Sequence, residues 1–183
     1  MFEEKIKEPV LSDDIKTILN RSTGDINNKN TDDIIRYKYK TMKLLTSNKD
    51  ILNTLHYNSN HELNGDDYRD VCIFDYMRLP DVKTNVKNYI CFDVDDRNTY
   101  DSRIEKFLTF RVICHKDDIA TDWGVSRTDL LGLIIKNQFD WSNVFGLTMV
   151  KIYDKGLIGD DDYYYREISY KSTTPNNLMN RLR

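Results

Sequence analysis

The chain predicts an α+β fold: a mostly antiparallel sheet of about four strands with a helix packed on one face, preceded by an N-terminal helical region. Three observations predict it. Apolar and β-branched runs at 86–94, 106–115, 145–153 and 162–171 read as strands. One segment, 127–139, carries a helical apolar stripe behind a capping serine. The first third repeats apolar residues at helical rather than strand spacing. At 183 residues one domain is expected over 1–183, with an N-terminal helical region (1–56), an α+β core (71–172) and a tail (173–183).

Taken in order, Ser12 caps a short helix whose Ile15, Ile18 and Leu19 share a face, and the polar stretch 27–30 breaks it. Thr31 or Asp32 opens a longer helix, in which Ile35, Tyr39, Met42 and Leu45 recur on one side. The stretch 47–50 reads as a capping box ahead of Ile51, Leu52 and Leu55, and predicts two helices rather than one kinked helix. The polar segment 56–70 is a loop, and 71–74 is a short strand that ends before Pro80. A polar connection, 95–102, joins the first two long strands as a hairpin. In the second of these, Leu108, Phe110, Val112 and Cys114 alternate with Thr109, Arg111 and Ile113. Ser126 then stands at the N-cap with Asp129 three residues on, followed by Leu130, Leu131, Ile134 and Ile135. Leu108, Phe110, Val112, Ile134 and Leu147 are the expected core. Leu178 and Leu182 allow the tail to dock as a short helix or to trail.

Composition narrows function mostly by exclusion. A net charge of −3 and a pI near 5.6 supply no field that would draw the chain to nucleic acid or anionic lipid. Cys72, Cys91 and Cys114 form no CxxC pair, and two of them fall within apolar strands, so buried reduced thiols and folding in a reducing cytosol are expected. No apolar run approaches a membrane span, and the first residues do not read as a signal peptide. Phosphate-cradling glycine loops and nucleophile elbows are missing, and His56, His61 and His115 lack metal-ligand spacing. The acidic run at 159–162 reads as a turn. No cofactor, metal or catalytic residue is expected, and the chain is read as not an enzyme.

Two rival readings remain. Asp93, Asp95 and Asp96 with His115, Asp117 and Asp118 offer hard ligands of the kind that hold Mg²⁺ or Mn²⁺ in a nuclease, with Asp93, Asp95 and His115 as the working set. Alternatively, the chain is a small cytosolic adaptor. Against both stands the aromatic strand: Tyr163, Tyr164 and Tyr165 with Arg166 match the composition of protein interfaces.

Several segments resemble the neck proteins of long-tailed bacteriophages, the tail terminator and tail-completion (head–tail joining) family. They are the extended 80–95, the strand ending at Cys114 and His115, the Ser126-Arg127-Thr128-Asp129 helix start, and a closing strand pair with Gly146, Leu147 and the aromatic 163–170. The resemblance spans roughly 71–172, and the longer N-terminal helical region departs from it. It implies a structural virion protein at the neck, made in the host bacterial cytoplasm, that joins or terminates the tail tube. The implied partners are copies of itself in a hexameric ring and other neck and tail-tube proteins. Tyr163, Tyr164, Tyr165, Arg166, Arg127, Asp160, Asp161 and Asp162 are the expected interface residues.

Overall fold

A computed structural model describes residues 12–13, 15–17, 34–55, 64–77, 88–98, 103–143, 148–158 and 162–175. The long elements are α1 (Ile34–Ser47), α2 (Lys49–Leu55), β1 (Ile73–Phe74), β2 (Asn88–Asn98), β3 (Arg103–His115), α3 (Arg127–Phe139), β4 (Val150–Ile158) and β5 (Tyr163–Pro175). The strands form one sheet in the order β1-β2-β3-β5-β4. Every pairing is antiparallel except the two-residue β1, which lies parallel to β2. The fold is therefore the expected α+β arrangement of helices on a mostly antiparallel sheet, with five strands.

Strand alternation divides the sheet into two faces. Ile90, Phe92 and Val94, Leu108, Phe110, Val112 and Cys114, and Ile168 and Tyr170 are buried against the helices. Phe110 is the aromatic hub, with its ring centroid 4.8 Å from Phe139, 6.1 Å from Phe92 and 6.2 Å from Tyr170. A smaller cluster of Phe74, Tyr89, Cys91, Ile113 and Tyr163 occupies part of the opposite face. All three cysteines are buried and free.

Helix α3 begins and ends where its cap chemistry predicts. Ser126 Oγ accepts from the Asp129 N–H at 3.1 Å, but the Asp129 carboxylate turns away to Arg166 instead of reaching back. Two helices do replace one at 34–55. The cap between them is Asn48, whose Oδ1 accepts from the N–H groups of Asp50 and Ile51 at 3.0 and 3.3 Å, while Ser47 donates back to the Leu44 carbonyl. Helix α1 is rotated from the expected face. Tyr37, Thr41, Met42 and Leu45 point inward and Ile35 is exposed. The rotation brings the Tyr37 ring over the buried Lys106 ammonium at 4.7 Å, and Lys106 pairs with Asp96 at 3.0 Å. A cation taken out of water needs those two partners, and Ile35 offers none.

Other boundaries moved. Strand β4 starts at Val150 and not at 145. After α3, Trp141 adopts φ 60°, its N–H donates to the Met149 carbonyl at 3.1 Å, and the Met149 N–H donates to Ser142 O at 2.9 Å. That clasp takes up Met149, one of the residues expected to open the strand. Leu147 lies outside the described residues, Met149 is fully buried, and Ile134 is partly buried at the margin of the core. The β2–β3 ladder continues through Asn98 opposite Ile104, so the expected 95–102 hairpin connection shortens to 99–102, outside the described residues. The C-terminal run extends β5 to Pro175, and residues beyond it lie outside the described set.

Candidate assembly surface

The His115 end of the sheet is built by one arginine. Arg127, at the first turn of α3, donates through Nε to the Asp118 carbonyl at 2.6 Å and through Nη2 to the Asp118 carboxylate at 3.0 Å. Its Nη1 reaches the Thr54 carbonyl at 2.8 Å, at the end of α2. Asn88 completes the arrangement, donating to Leu55 O at 3.0 Å and to the other Asp118 oxygen at 2.6 Å. Carbonyls at a helix C-terminus have no partner within the helix, and here Arg127 and Asn88 each supply one. The cluster locks α2, α3 and the start of β2 together.

On that base stands a closed turn. The Arg127 N–H donates to Ile119 O at 2.7 Å and Ala120 bridges Ser126, so the chain returns on itself. The Gly124 N–H donates to Thr121 O at 3.2 Å, and the Thr121 hydroxyl donates to Val125 O at 2.6 Å. Gly124 has φ 71°, a left-handed conformation that glycine adopts without the Cβ penalty. The product is a rigid tip that holds Trp123 82% exposed, with Val125 exposed beside it.

Strand β5 delivers part of the expected tyrosine surface to the same end, since Tyr163 and Tyr164 pair with His115 and Cys114. Tyr164 is 51% exposed. Tyr163 is buried, its ring edge-on to His115 at 5.0 Å, and Tyr165 packs partly buried on the same small cluster. Arg166 points under α3, where its Nε donates to Asp154 at 2.8 Å and its Nη1 pairs with Asp129. Of the expected interface set, therefore, Tyr163, Arg166 and Arg127 serve the interior, because alternation and buried carboxylates claim them. Tyr164 is displayed. Asp162 sits at the same end, 2.5 Å from Lys116, whose ammonium holds its carboxyl below the usual range. Asp160 and Asp161 lie outside the described residues.

The nuclease set does not converge. Asp93 pairs across the ladder with Thr109, six residues along β3 from His115, a separation of roughly 20 Å at strand rise. The Asp93 carboxylate is 2.5 Å from Lys38, Asp95 is exposed, and His115 Nδ1 accepts from the Asp117 N–H at 3.2 Å. Among the described residues no group of three His, Cys, Asp or Glu is placed to hold a metal ion. No described helix is long and apolar enough to cross a membrane.

Trp123 is the residue that the sequence reading missed. Its signal was there: Thr-Asp-Trp-Gly is turn chemistry set between a strand and a capped helix.

Fold and surface together define an α+β protein whose exposed aromatic groups sit on a stiff, acid-flanked frame. The family model for YomW matches residues 48–172, and the chain belongs to that family. The family name is a Bacillus phage-derived one, which suggests a phage-associated protein. No curated protein and no solved structure matches the chain.

Proposed function

We propose that the chain is a structural virion protein of a tailed phage, forming a ring at the head–tail junction that terminates or joins the tail tube, and that it performs no catalysis. The observation that carries this reading is the rigid display of Trp123, Val125 and Tyr164 at one end of the sheet. Large aromatic area held on a hydrogen-bonded frame suits a permanent protein contact, because little conformational entropy remains to be lost on docking. Membership of a phage-associated family supports the same reading, as does the resemblance to tail terminator and tail-completion proteins. Its partners are further copies in a ring, a hexamer by that resemblance, and the neighbouring neck and tail-tube proteins. Assembly takes place in the host cytoplasm and the ring remains in the virion.

The test is the particle. Purified virions from a phage carrying a tagged copy are labelled against the tag and viewed by electron microscopy, with label expected at the neck. Deletion of the gene is expected to leave filled heads and unjoined or over-long tails. Label absent from the virions, with particle assembly normal after deletion, refutes the reading.

A further inference from the structure

The exposed indole has a receptor of matching size and charge elsewhere on the same chain. Between α1 and the 3-10 turn Gly65–Tyr68 lies an open pocket of about 150 Å³, lined by Tyr39, Met42, Lys43, Thr46, Asp66 and Arg69. An apolar cavity of about that volume takes up a benzene ring. Here the Tyr39 ring and the Met42 thioether supply aromatic and polarisable surface that an indole contacts well. Lys43 and Arg69 place two exposed cations at the pocket, beside the Asp66 carboxylate. Among the described residues, Arg69 is approached by Asp70 at a weak 3.8 Å. Trp123 carries the complementary sign, with exposed Asp122 beside it in sequence and exposed Asp117 at the base of the same loop.

We propose that Trp123 of one copy inserts into the Tyr39–Met42 pocket of the next copy, with Asp122 facing Lys43 and Arg69. Knob and hole belong to different elements, so the contact is heterologous: each copy uses its knob on one neighbour and its hole on the other. Contacts of this type propagate head to tail and close into a ring when the rotation per copy allows it. The inference names the subunit contact of the proposed ring and rests on that reading for its biological setting. The two fail separately. Neck labelling without Trp123-dependent association sinks the contact alone, whereas association in solution without neck labelling sinks the function alone.

The experiment uses the full chain with Trp141→Phe, which leaves Trp123 as the sole indole of the two in the sequence. Sedimentation velocity and emission are followed from about 1 μM to about 1 mM protein, the range in which weak to moderate contacts report. Concentration-dependent association with a blue-shifted, buried Trp123 is expected. Trp123→Ala removes the knob, and Lys43→Glu with Arg69→Glu reverses the charge of the hole. Each is expected to weaken association by at least about 30-fold, as loss of an anchor residue does. All three positions are solvent-exposed, so circular dichroism should be unchanged. Mixing the two variants is the decisive arm: the intact knob of the charge-reversed variant fits the intact hole of Trp123→Ala, so the mixture should form a 1:1 dimer and stop there, with no second knob and hole to extend it or close a ring, while Asp122→Lys combined with the reversed hole should restore association beyond the dimer. A parent that remains monomeric at about 1 mM, Trp123→Ala that associates like the parent, or a charge reversal that restores nothing overturns the proposal.

Discussion

Replacing Gly132 with alanine should destabilise this protein, although the same change in an ordinary helix interior stabilises it by about 1 kcal/mol. Gly132 sits in the middle of α3 and is buried. A Cβ built there would lie 2.6 Å from Arg166 Cδ and 2.7 Å from Arg166 Nε. Arg166 is only 19% exposed and is tied by Nε to Asp154, itself 12% exposed and also 3.0 Å from Lys136. To admit the methyl group, the guanidinium has to leave Asp154. Hydrogen bonds to charged groups contribute about 1.5–3 kcal/mol, and the pair with the largely exposed Asp129 adds little. Setting the propensity gain against that loss leaves a net destabilisation of about 0.5–2 kcal/mol.

The assay is urea unfolding of four proteins: the parent, Gly132→Ala, Arg166→Ala and the double variant. With Arg166 truncated the obstruction is gone, so Gly132→Ala should then stabilise by about 1 kcal/mol. The sign reversal between backgrounds, a coupling of about 1.5–3 kcal/mol, is what the cycle reads. Stabilisation by Gly132→Ala in both backgrounds would refute the argument that the glycine exists to let Arg166 pass beneath the helix.

Two further outcomes follow from the titrating groups. Burial alone would raise the Asp154 and Glu167 carboxyls, but hydrogen bonds from Arg166 and Lys136 to Asp154, and from Tyr153 and Arg111 to Glu167, outweigh it and hold both below the usual range. The folded state therefore binds fewer protons than the unfolded one, and this stability is fully present above the ordinary values near ~4 and lost as pH falls through the lower folded values. Asp154→Asn with Glu167→Gln should lower stability at neutral pH and flatten its acid-side decline, measured by urea midpoints across pH; a decline parallel to the parent's contradicts the assignment. Burial also pushes the Cys72 thiol up to about 12 and raises that of Cys114, so at mildly alkaline pH a thiol reagent should label the native protein only as fast as it opens. Rapid labelling of Cys72 in the folded state would count against its burial.

What was legible in the sequence was whatever local chemistry fixes. The Ser126 cap and the 3.6-residue stripe after it define α3 to the residue, and the alternation of Leu108, Phe110 and Val112 places the core face of β3. The misread positions depend on non-local partners. Tyr37 displaced Ile35 from the inner face of α1 because Lys106, about 70 residues away, needed an aromatic ring. Arg127 and Arg166 look like surface arginines in the sequence. They are drawn inward by Asp118, by the Thr54 carbonyl and by Asp154, none of which their own neighbourhoods announce. Among the expected surface residues, Tyr163 and Tyr165 pack on the smaller cluster, while Tyr164 is exposed although alternation sets it on the same face as Ile168 and Tyr170.

The remaining question is whether copies would join through a sheet edge instead. Strand β4 is the long edge of the sheet, and an exposed strand edge offers backbone pairing to a neighbour. Its details oppose indiscriminate pairing. A register shift between Lys151 and Tyr153 interrupts the ladder, as the bulges that guard natural edges do. Lys151 and Lys155 are exposed along the strand, and Gly156 weakens it further. Lys151 also reaches back to Asp140 at 3.3 Å, tethering the edge to the end of α3. Val150 and Ile152 remain exposed there, so the edge offers apolar area to a partner of the right shape without offering an open backbone template to every strand. That division suits a component that has to stay soluble before it assembles: the edge is blunted, and the specific contact is given to a rigid indole that only a matching pocket accepts.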